Sequence, residues 1–270
     1  SGDWSSDVCS SDLKLKTWCF PVAGCVSYKG YFSQSEAQAE ADVLKQQGWE
    51  VAVQGVPAYS TLGWSNWAGG DPLLNTFVGY PEGELARLVF HELAHQVVYV
   101  PDDTAFNESF ATAVERLGSA RWLLRHGSEA ANFDYAIFDQ RRQQFRALTR
   151  ATRLQLKQIY MINKPVAGVN IAYSAINNIA KDEIYREFRA HYEALKSSWG
   201  GYAGYDNWVK NANNASFGAL AAYDDFVPAF EALFEKSNGD WFKFYAAVND
   251  LAKLSKEQRL KALMNVAQNS

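Results

Sequence analysis

The sequence is short of the features that mark several common protein classes. No stretch approaches the ~18 consecutive apolar residues of a membrane-spanning helix, so no transmembrane segment is predicted. Basic residues are not in excess: 26 Lys and Arg against 30 Asp and Glu give a net charge of −4, which argues against nucleic acid as a partner. The three cysteines do not supply the two Cys/His pairs of a structural zinc site. There are only four histidines in 270 residues.

The remaining composition is that of a globular protein with a substantial core. Hydrophobic residues make up 48% and charged residues 21% of the chain, and there is no internal repeat or flexible linker. Residues 1–13 are the exception, because they are rich in Ser and Asp and lack the basic and apolar regions of a signal peptide. This segment resembles a translated sequencing adaptor. We therefore expect a disordered, non-native tail.

Short strands are predicted before a long series of helices. Ser33 and Glu36 form an N-terminal capping pattern for a helix over 33–47, and alternating residues at 49–53 indicate a strand. A second short strand is expected within 57–67. Helical spacing then covers 81–99, 105–126, 133–160, 170–195 and 241–254, and a capping box begins a last helix at Ser255.

The motif with clear chemical content is H-E-x-x-H at residues 91–95. Residues four apart lie on one face of a helix, so the imidazoles of His91 and His95 can point at one metal ion. Glu92 lies beside the first of them, where a carboxylate can reach a metal-bound water without binding the metal. The spacing therefore predicts a zinc site with Glu92 as general base.

A third protein ligand is expected on the next helix. Glu108 lies about one turn after that helix begins, and His95 lies about one turn before the preceding helix ends. Two antiparallel helices with a short connection would place these side chains at the same level. Asp102 and Asp103 are rival ligands, although a turn residue and a helix cap explain them better.

The sequence around these residues resembles that of a known family. N-E-x-x-A at 107–111 after H-E-x-x-H is typical of gluzincin metallopeptidases, and the longer sequence pattern looks like that of the bacterial family of putative (predicted) aminopeptidases. The matching segments are 17–25, 28–32, 57–64, 71–75, 90–99 and 106–115, and the resemblance spans about residues 17–250. Family chains begin well upstream, often with an export signal, so the resemblance implies an N-terminally truncated chain of the bacterial cell envelope or periplasm.

The resemblance implies an α+β, predominantly helical, zincin-like domain whose H-E-x-x-H helix packs against a small sheet. Residues 14–270 would form this single catalytic domain, with the sheet and the metal helices in 14–127 and a helical part in 128–270. One Zn²⁺ ion on His91, His95 and Glu108 would activate a water for peptide-bond hydrolysis. An aminopeptidase is expected. An endopeptidase, or a non-catalytic binding or regulatory domain with a structural metal, remains the alternative.

Further residues are candidates for substrate binding and support. An extended peptide needs an edge strand, for which Tyr59, Ser60, Thr61 and Leu62 are the candidates, with ordinary core structure as the alternative. Asn214 and Tyr223 could line the cleft, although an Asn pair is more often a turn. Glu115 lies seven residues after Glu108 on the same helix face, as a ligand-orienting group or a surface carboxylate. The oxyanion donor stays open among Tyr59, Tyr173, Tyr223, His191 and the arginines.

Two remaining patterns concern cysteine and arginine. Cys19 and Cys25 flank a proline and a glycine, so they could close a small disulfide loop in an oxidising compartment, or could be two reduced, buried cysteines.

Arginines recur with helical spacing at 142, 146, 150 and 153. This stripe predicts a solvated cationic face, with an acidic partner, a membrane surface or a substrate carboxylate as alternatives. The sequence leaves the oligomeric state open.

Overall fold

The computed structural model describes residues 3–9, 13–20, 24–56, 80–162 and 170–268. Within them the strands are β1 (Asp3–Cys9), β2 (Trp18–Phe20), β3 (Gly24–Val26), β4 (Tyr28–Tyr31) and β5 (Glu50–Val56). The helices are α1 (Gln34–Gln46), α2 (Glu82–Val97), α3 (Thr104–His126), α4 (Glu129–Ile162), α5 (Asn170–Ser198), α6 (Asp206–Asn211), α7 (Asn214–Asp224), α8 (Val227–Lys236), α9 (Trp241–Ala252) and α10 (Lys256–Gln268). The chain is therefore predominantly helical with a small amount of sheet, as expected for the α+β class.

Strand β1 corrects the expectation of a disordered tail. It is the central strand of an antiparallel sheet with the order β4-β1-β5, and Ser5 pairs with both Gly30 and Gln54. Val8 is fully buried in a cluster that includes Leu44 of α1. Hydrogen bonding along both edges orders this polar segment, and such pairing between distant segments leaves no local signal in a Ser- and Asp-rich sequence.

Most helix ends follow the local signals in the sequence. The Ser33 side chain accepts a hydrogen bond from the backbone N–H of Glu36 at the start of α1, and Ser255 and Gln258 form the reciprocal capping bonds before α10. Helices α2, α3, α4, α5 and α9 form where helical spacing predicts them. The connection over 199–216 additionally contains α6. The strand predicted within 57–67 lies outside the described residues.

Helices α2 and α3 form an antiparallel hairpin with little space between them. A Cβ atom at Gly118 of α3 would lie 3.1 Å from the Phe90 ring of α2, so the glycine permits the close approach. Every residue over 106–115 of α3 is buried. The surrounding core joins α2 and α3 to α8, α9 and α10, and it includes Phe106, Phe110 and Phe230. The N- and C-terminal parts of the chain thus share one core around this hairpin.

The three-stranded sheet packs mainly on helices other than α2. Helices α1 and α7 pack on β1 and β5, whereas α2 packs mainly on α3 and α4. A second core lies between α4, α5, α6 and α7 around Phe145, Phe188 and Phe217. The prediction that the H-E-x-x-H helix packs on the sheet therefore differs from the main contacts of α2. In the described part of the chain, none of the helices combines the length and the apolar character that a membrane span needs.

The arginine stripe on α4 pairs with acidic groups of the same chain. Arg142 contacts Glu84, and the ion pairs of Arg146 and Arg153 are with Asp224 and Asp225. These contacts connect α4 to α2 and to the end of α7. The prediction of a solvated face is wrong for these three arginines, because acidic residues distant in sequence neutralise them on folding.

Candidate metal centre

Two histidines and one glutamate converge where α2 and α3 face each other. Nε2 of His91 lies 3.3 Å from Oε2 of Glu108, and Nε2 of His95 lies 3.7 Å from the same oxygen. One ligand atom from each residue can be chosen so that all three lie within 4.8 Å of one another. The helix spacing therefore places two imidazoles and one carboxylate around one point.

The donor set and its spacing fit a metal ion. A tetrahedral zinc ion with bonds of about 2.0–2.1 Å separates its ligand atoms by about 3.4 Å, close to the distances from Glu108. The Glu108 side chain is buried, unlike the exposed carboxylates that are common on protein surfaces. A cluster of His91, His95 and Glu108 is thus suited to a divalent cation that accepts nitrogen and oxygen ligands.

Asn107 sets the geometry of the connection between the helices. Its amide oxygen accepts from the backbone N–H of Val100, and its amide nitrogen donates to the carbonyl of Val100, both at 2.8 Å. Asp103 caps α3 by accepting from the N–H of Phe106, while Asp102 occupies the turn with a φ of +67°. The two aspartates therefore act as turn and cap residues, and the amide preceding Glu108 closes the hairpin.

Glu115 contacts the opposite side of the His91 ring. Its Oε2 lies 3.2 Å from Nδ1 of His91, and its other oxygen accepts from the guanidinium of Arg87. Arg87 also lies beside Glu84, which binds Arg142 of α4. The resulting chain of alternating charges runs from α4 to the imidazole, as in sites where a carboxylate orients a metal-ligating histidine.

The electrostatic environment distinguishes the two histidines. Burial alone would lower the pKa of His91, but its bonds to Glu108 and Glu115 overcome this and raise the pKa to about 10. Burial lowers the pKa of His95 to about 4 despite the attraction of Glu108. Burial also opposes ionisation of Glu115, yet Arg87 and His91 hold the pKa of that carboxyl well below its usual range. Burial likewise opposes ionisation of Glu108, but His95 and His91 lower the pKa of its carboxyl below the usual value.

Two further candidates lie at this site. The Tyr223 ring of α7 stacks on His91, with 6.4 Å between the ring centroids and 24° between the planes. Burial and the charge of Glu108, with a smaller contribution from Glu92, hold the pKa of Tyr223 well above its usual range. Glu92 follows His91 on α2 and is partly buried. A neutral phenol thus lies near the cluster of His91, His95 and Glu108, and Glu92 follows the first of these histidines in the chain.

The structure does not support the assignment of Asn214 to the cleft. Its side chain is completely buried, accepting from the hydroxyl of Tyr185 and donating to that of Tyr160, while its backbone N–H donates to Glu50. Asn214 therefore connects α7 to α4, α5 and β5 and is inaccessible to a peptide. The neighbouring Asn213 caps α7. Asn pairs are ambiguous in sequence because the same amide suits a cap, a buried network or a ligand.

Some predicted candidates lie outside the described part of the chain. These are Tyr59, Ser60, Thr61, Leu62 and the side chain of Tyr173. His191 is exposed on α5. Sequence reasoning missed Arg87, although its position four residues before His91 on the same helix face was a usable signal.

Cys19 and Cys25 are joined by a disulfide in the two-stranded antiparallel sheet β2–β3, where they are directly opposite each other. The backbone N–H of Cys25 donates to Oδ1 of Asp102 at 2.6 Å. The disulfide-bonded sheet therefore contacts the turn between the two metal-site helices. Cys9 of β1 is buried and is not part of this disulfide.

Comparison with known proteins identifies one family. A family model described as putative aminopeptidase matches residues 8–263. A search of curated proteins returned no match, and a search of solved structures also returned none. The matched range contains the whole His91, His95 and Glu108 cluster.

Proposed function

Because the chain belongs to the putative aminopeptidase family, we propose that it is a zinc-dependent aminopeptidase with a zincin-like active site of the gluzincin type. The main support for this proposal is that His91, His95 and Glu108 each have one potential ligand atom, and that these atoms lie within 4.8 Å of one another. Glu92 follows His91 in the H-E-x-x-H motif. A zinc ion bound there supplies Lewis acidity and a water of lowered pKa. The remaining steps belong to side chains of the protein.

Glu92 is the proposed proton carrier. A carboxylate next to the first histidine accepts the proton of the attacking water and passes it to the leaving amine, as general base and then general acid. Glu115 holds the His91 ring by its Nδ1 atom, so that Nε2 faces the ligand cluster. These roles require an ionised Glu115, which agrees with the direction of its pKa shift.

Tyr223 is the proposed hydrogen-bond donor to the substrate carbonyl. Its ring centroid lies 6.4 Å from that of His91, and the high pKa of its hydroxyl keeps the phenol protonated at neutral pH. A donor directed at the oxygen that gains charge stabilises the transition state. The Tyr223→Phe variant should lose turnover while it retains zinc and its fold, and unchanged turnover would remove Tyr223 from this role.

The test is Glu92→Gln, which keeps the size of the side chain and removes its basicity. Metal content, melting temperature and hydrolysis of peptides should be measured together. We expect retained zinc and fold with turnover lowered by at least about 100-fold. Glu82→Gln is the matched control, because Glu82 is an exposed carboxylate in the first turn of the same helix.

The substrate scan separates the alternatives. Peptides with free and blocked N-termini should be compared on the wild-type protein. Cleavage restricted to free N-termini supports the aminopeptidase, whereas cleavage of blocked peptides indicates an endopeptidase. Zinc binding without hydrolysis of any peptide would favour a non-catalytic domain with a structural metal. Equal turnover of wild type and Glu92→Gln would contradict the proposed mechanism.

A further inference from the structure

We propose that the disulfide-bonded sheet β2–β3 braces the metal centre, so that breaking the Cys19–Cys25 bond weakens metal binding. The inference rests on the proposed function, because it takes His91, His95 and Glu108 as metal ligands. It concerns the affinity of the site rather than the reaction. The carrying observation is the contact between this small sheet and the turn that joins the two ligand helices.

The turn controls the relative position of the ligands. Asp102 lies seven residues after His95 and six residues before Glu108, with its backbone in the left-handed region at a φ of +67°. A connection this short transmits a change in its backbone directly to both helices. Ligands held in place before the metal arrives bind it more tightly, because less conformational freedom is lost on binding.

The small sheet meets this turn with almost no free space. The N–H of Cys25 donates to Oδ1 of Asp102 at 2.6 Å. Gly24 has a φ of +70°, and a Cβ atom on it would lie 2.7 Å from Oδ1 and 2.9 Å from the backbone N of Asp102. Both the backbone conformation and the available space therefore require glycine here, which makes the contact specific.

The C-terminal helix holds the turn by separate contacts. Nζ of Lys256 donates to the carbonyl of Asp102 at 2.7 Å, and the guanidinium of Arg259 binds Oδ2 of Asp103 at 2.8 Å. Arg259 also lies over the Phe106 ring at 5.1 Å from its centroid. These contacts do not involve β2 or β3. The disulfide-bonded sheet is therefore a separate support that can be removed while α10 remains in place.

The disulfide is what maintains this support. Strands β2 and β3 contain three residues each, and Cys19 is directly opposite Cys25 in their register. An isolated two-stranded sheet is marginally stable in water, whereas a cross-link limits the conformations that compete with it. Without the cross-link the Cys25 N–H is no longer held against Asp102, and the turn loses one of its restraints.

The bond can be opened by thiol–disulfide exchange. A dithiol attacks one sulfur, two electrons and two protons pass to Cys19 and Cys25, and the dithiol closes to its own cyclic disulfide. The products are two protein thiols and one oxidised dithiol. The affinity for metal would then follow the thiol–disulfide balance of the surroundings.

The experiment measures zinc affinity by competition with a chromophoric chelator. The double variant Cys19→Ser/Cys25→Ser should bind zinc about tenfold more weakly than the oxidised wild type, equivalent to about 1.4 kcal/mol. Wild type reduced by a dithiol, which is removed by gel filtration without oxygen before zinc is added, should match the double variant.

Substitutions of Asp102 test whether the effect passes through this contact. Asp102→Gly removes the acceptor and tolerates the positive φ, so it should weaken zinc binding by the same factor. Asp102→Asn keeps an oxygen acceptor and also tolerates this backbone, so it should retain wild-type affinity. Combining Asp102→Gly with the two serines should cause no further loss, since the same support is removed twice.

A matched control separates bracing from general stability. Ser33→Ala removes the cap of α1, so it should lower the midpoint of unfolding and leave zinc affinity unchanged. Unchanged affinity in the Cys19→Ser/Cys25→Ser variant, or additive losses in the combined variant, would overturn the inference. If zinc affinity depends on the disulfide and on Asp102 as expected but no peptide is hydrolysed, only the proposed function is refuted. Absence of zinc binding by the wild type would refute both.

Discussion

The Glu115 carboxylate lies 3.2 Å from Nδ1 of His91, on the side of the ring opposite to Glu108. This bond places the imidazole proton on Nδ1 when the ring is neutral, which leaves the Nε2 lone pair for a metal. The guanidinium of Arg87 in turn donates a hydrogen bond to the other oxygen of Glu115. The orientation of a proposed ligand therefore depends on residues that do not themselves face the metal.

Glu115→Gln should weaken the zinc affinity, after correction for the protonation of His91, by about 10- to 100-fold, because the carboxylate that orients His91 loses its charge. Competition with a chelator measures this affinity. Glu231→Gln is the matched control, since Glu231 also pairs with an arginine, Arg116, as part of a different contact. Equal zinc affinities for both variants and the wild type would refute the orienting role.

Arg87→Met should lower the free energy of unfolding by about 3–5 kcal/mol, because it leaves Glu115 as a buried carboxylate without its guanidinium partner. Urea denaturation of the metal-free protein measures this quantity. Arg186→Met removes an exposed arginine that pairs with Glu183 on the same helix, and no measurable change is expected. A similar stability for the two variants would contradict the importance of the buried pair.

Asn107→Ala should destabilise the protein by about 1–3 kcal/mol, because the partly buried N–H of Val100 loses its acceptor and the Val100 carbonyl keeps only the N–H of Asp103. The same variant should also weaken zinc binding, since this amide closes the hairpin that aligns His95 with Glu108. Denaturation and zinc titration measure the two effects. Asn211→Ala, which removes an exposed amide bonded within its own helix, should change neither.

Zinc uptake by the metal-free protein should release about one proton per ion from His91 between pH 7 and 9, in addition to any proton lost by a zinc-bound water of pKa about 7. His91 has a pKa of about 10 and is protonated there, whereas only a neutral imidazole binds metal. The His91 proton alone should therefore raise the affinity about tenfold for each pH unit in this range. His95, with a pKa of about 4, contributes no proton.

Calorimetry in buffers of different ionisation enthalpy measures this proton release. Glu115→Gln lowers the pKa of His91 by removing one of its two carboxylate partners, so fewer protons should be released. Zinc affinity that does not vary with pH over this range would contradict the assignment of the proton to His91.

The sequence predicted the parts of the site that depend on local patterns. Helix periodicity and a short connection sufficed to bring His91, His95 and Glu108 to one level, because an antiparallel hairpin has few alternative geometries. Capping residues such as Ser33 and Asp103 likewise act within one turn. These signals need no information about distant parts of the chain.

Other features depend on contacts between distant segments and could not be predicted in the same way. Strand β1 is ordered by pairing with β4 and β5, and its own composition resembles a loop. Asn214 has the same chemistry in a cleft as in a buried network, so only its neighbours decide its role. The arginines of α4 were predicted to form a solvated face because their acidic partners lie more than fifty residues away in sequence.

The burial of α3 on all sides over residues 106–115 has a consequence for how the sequence can vary. A surface helix tolerates substitutions on the face that meets solvent, and this helix has no such face there. In a library of all single substitutions, this segment should show uniform intolerance without a period of 3.6 residues. Helix α4, whose buried residues recur along one side, should show that period clearly.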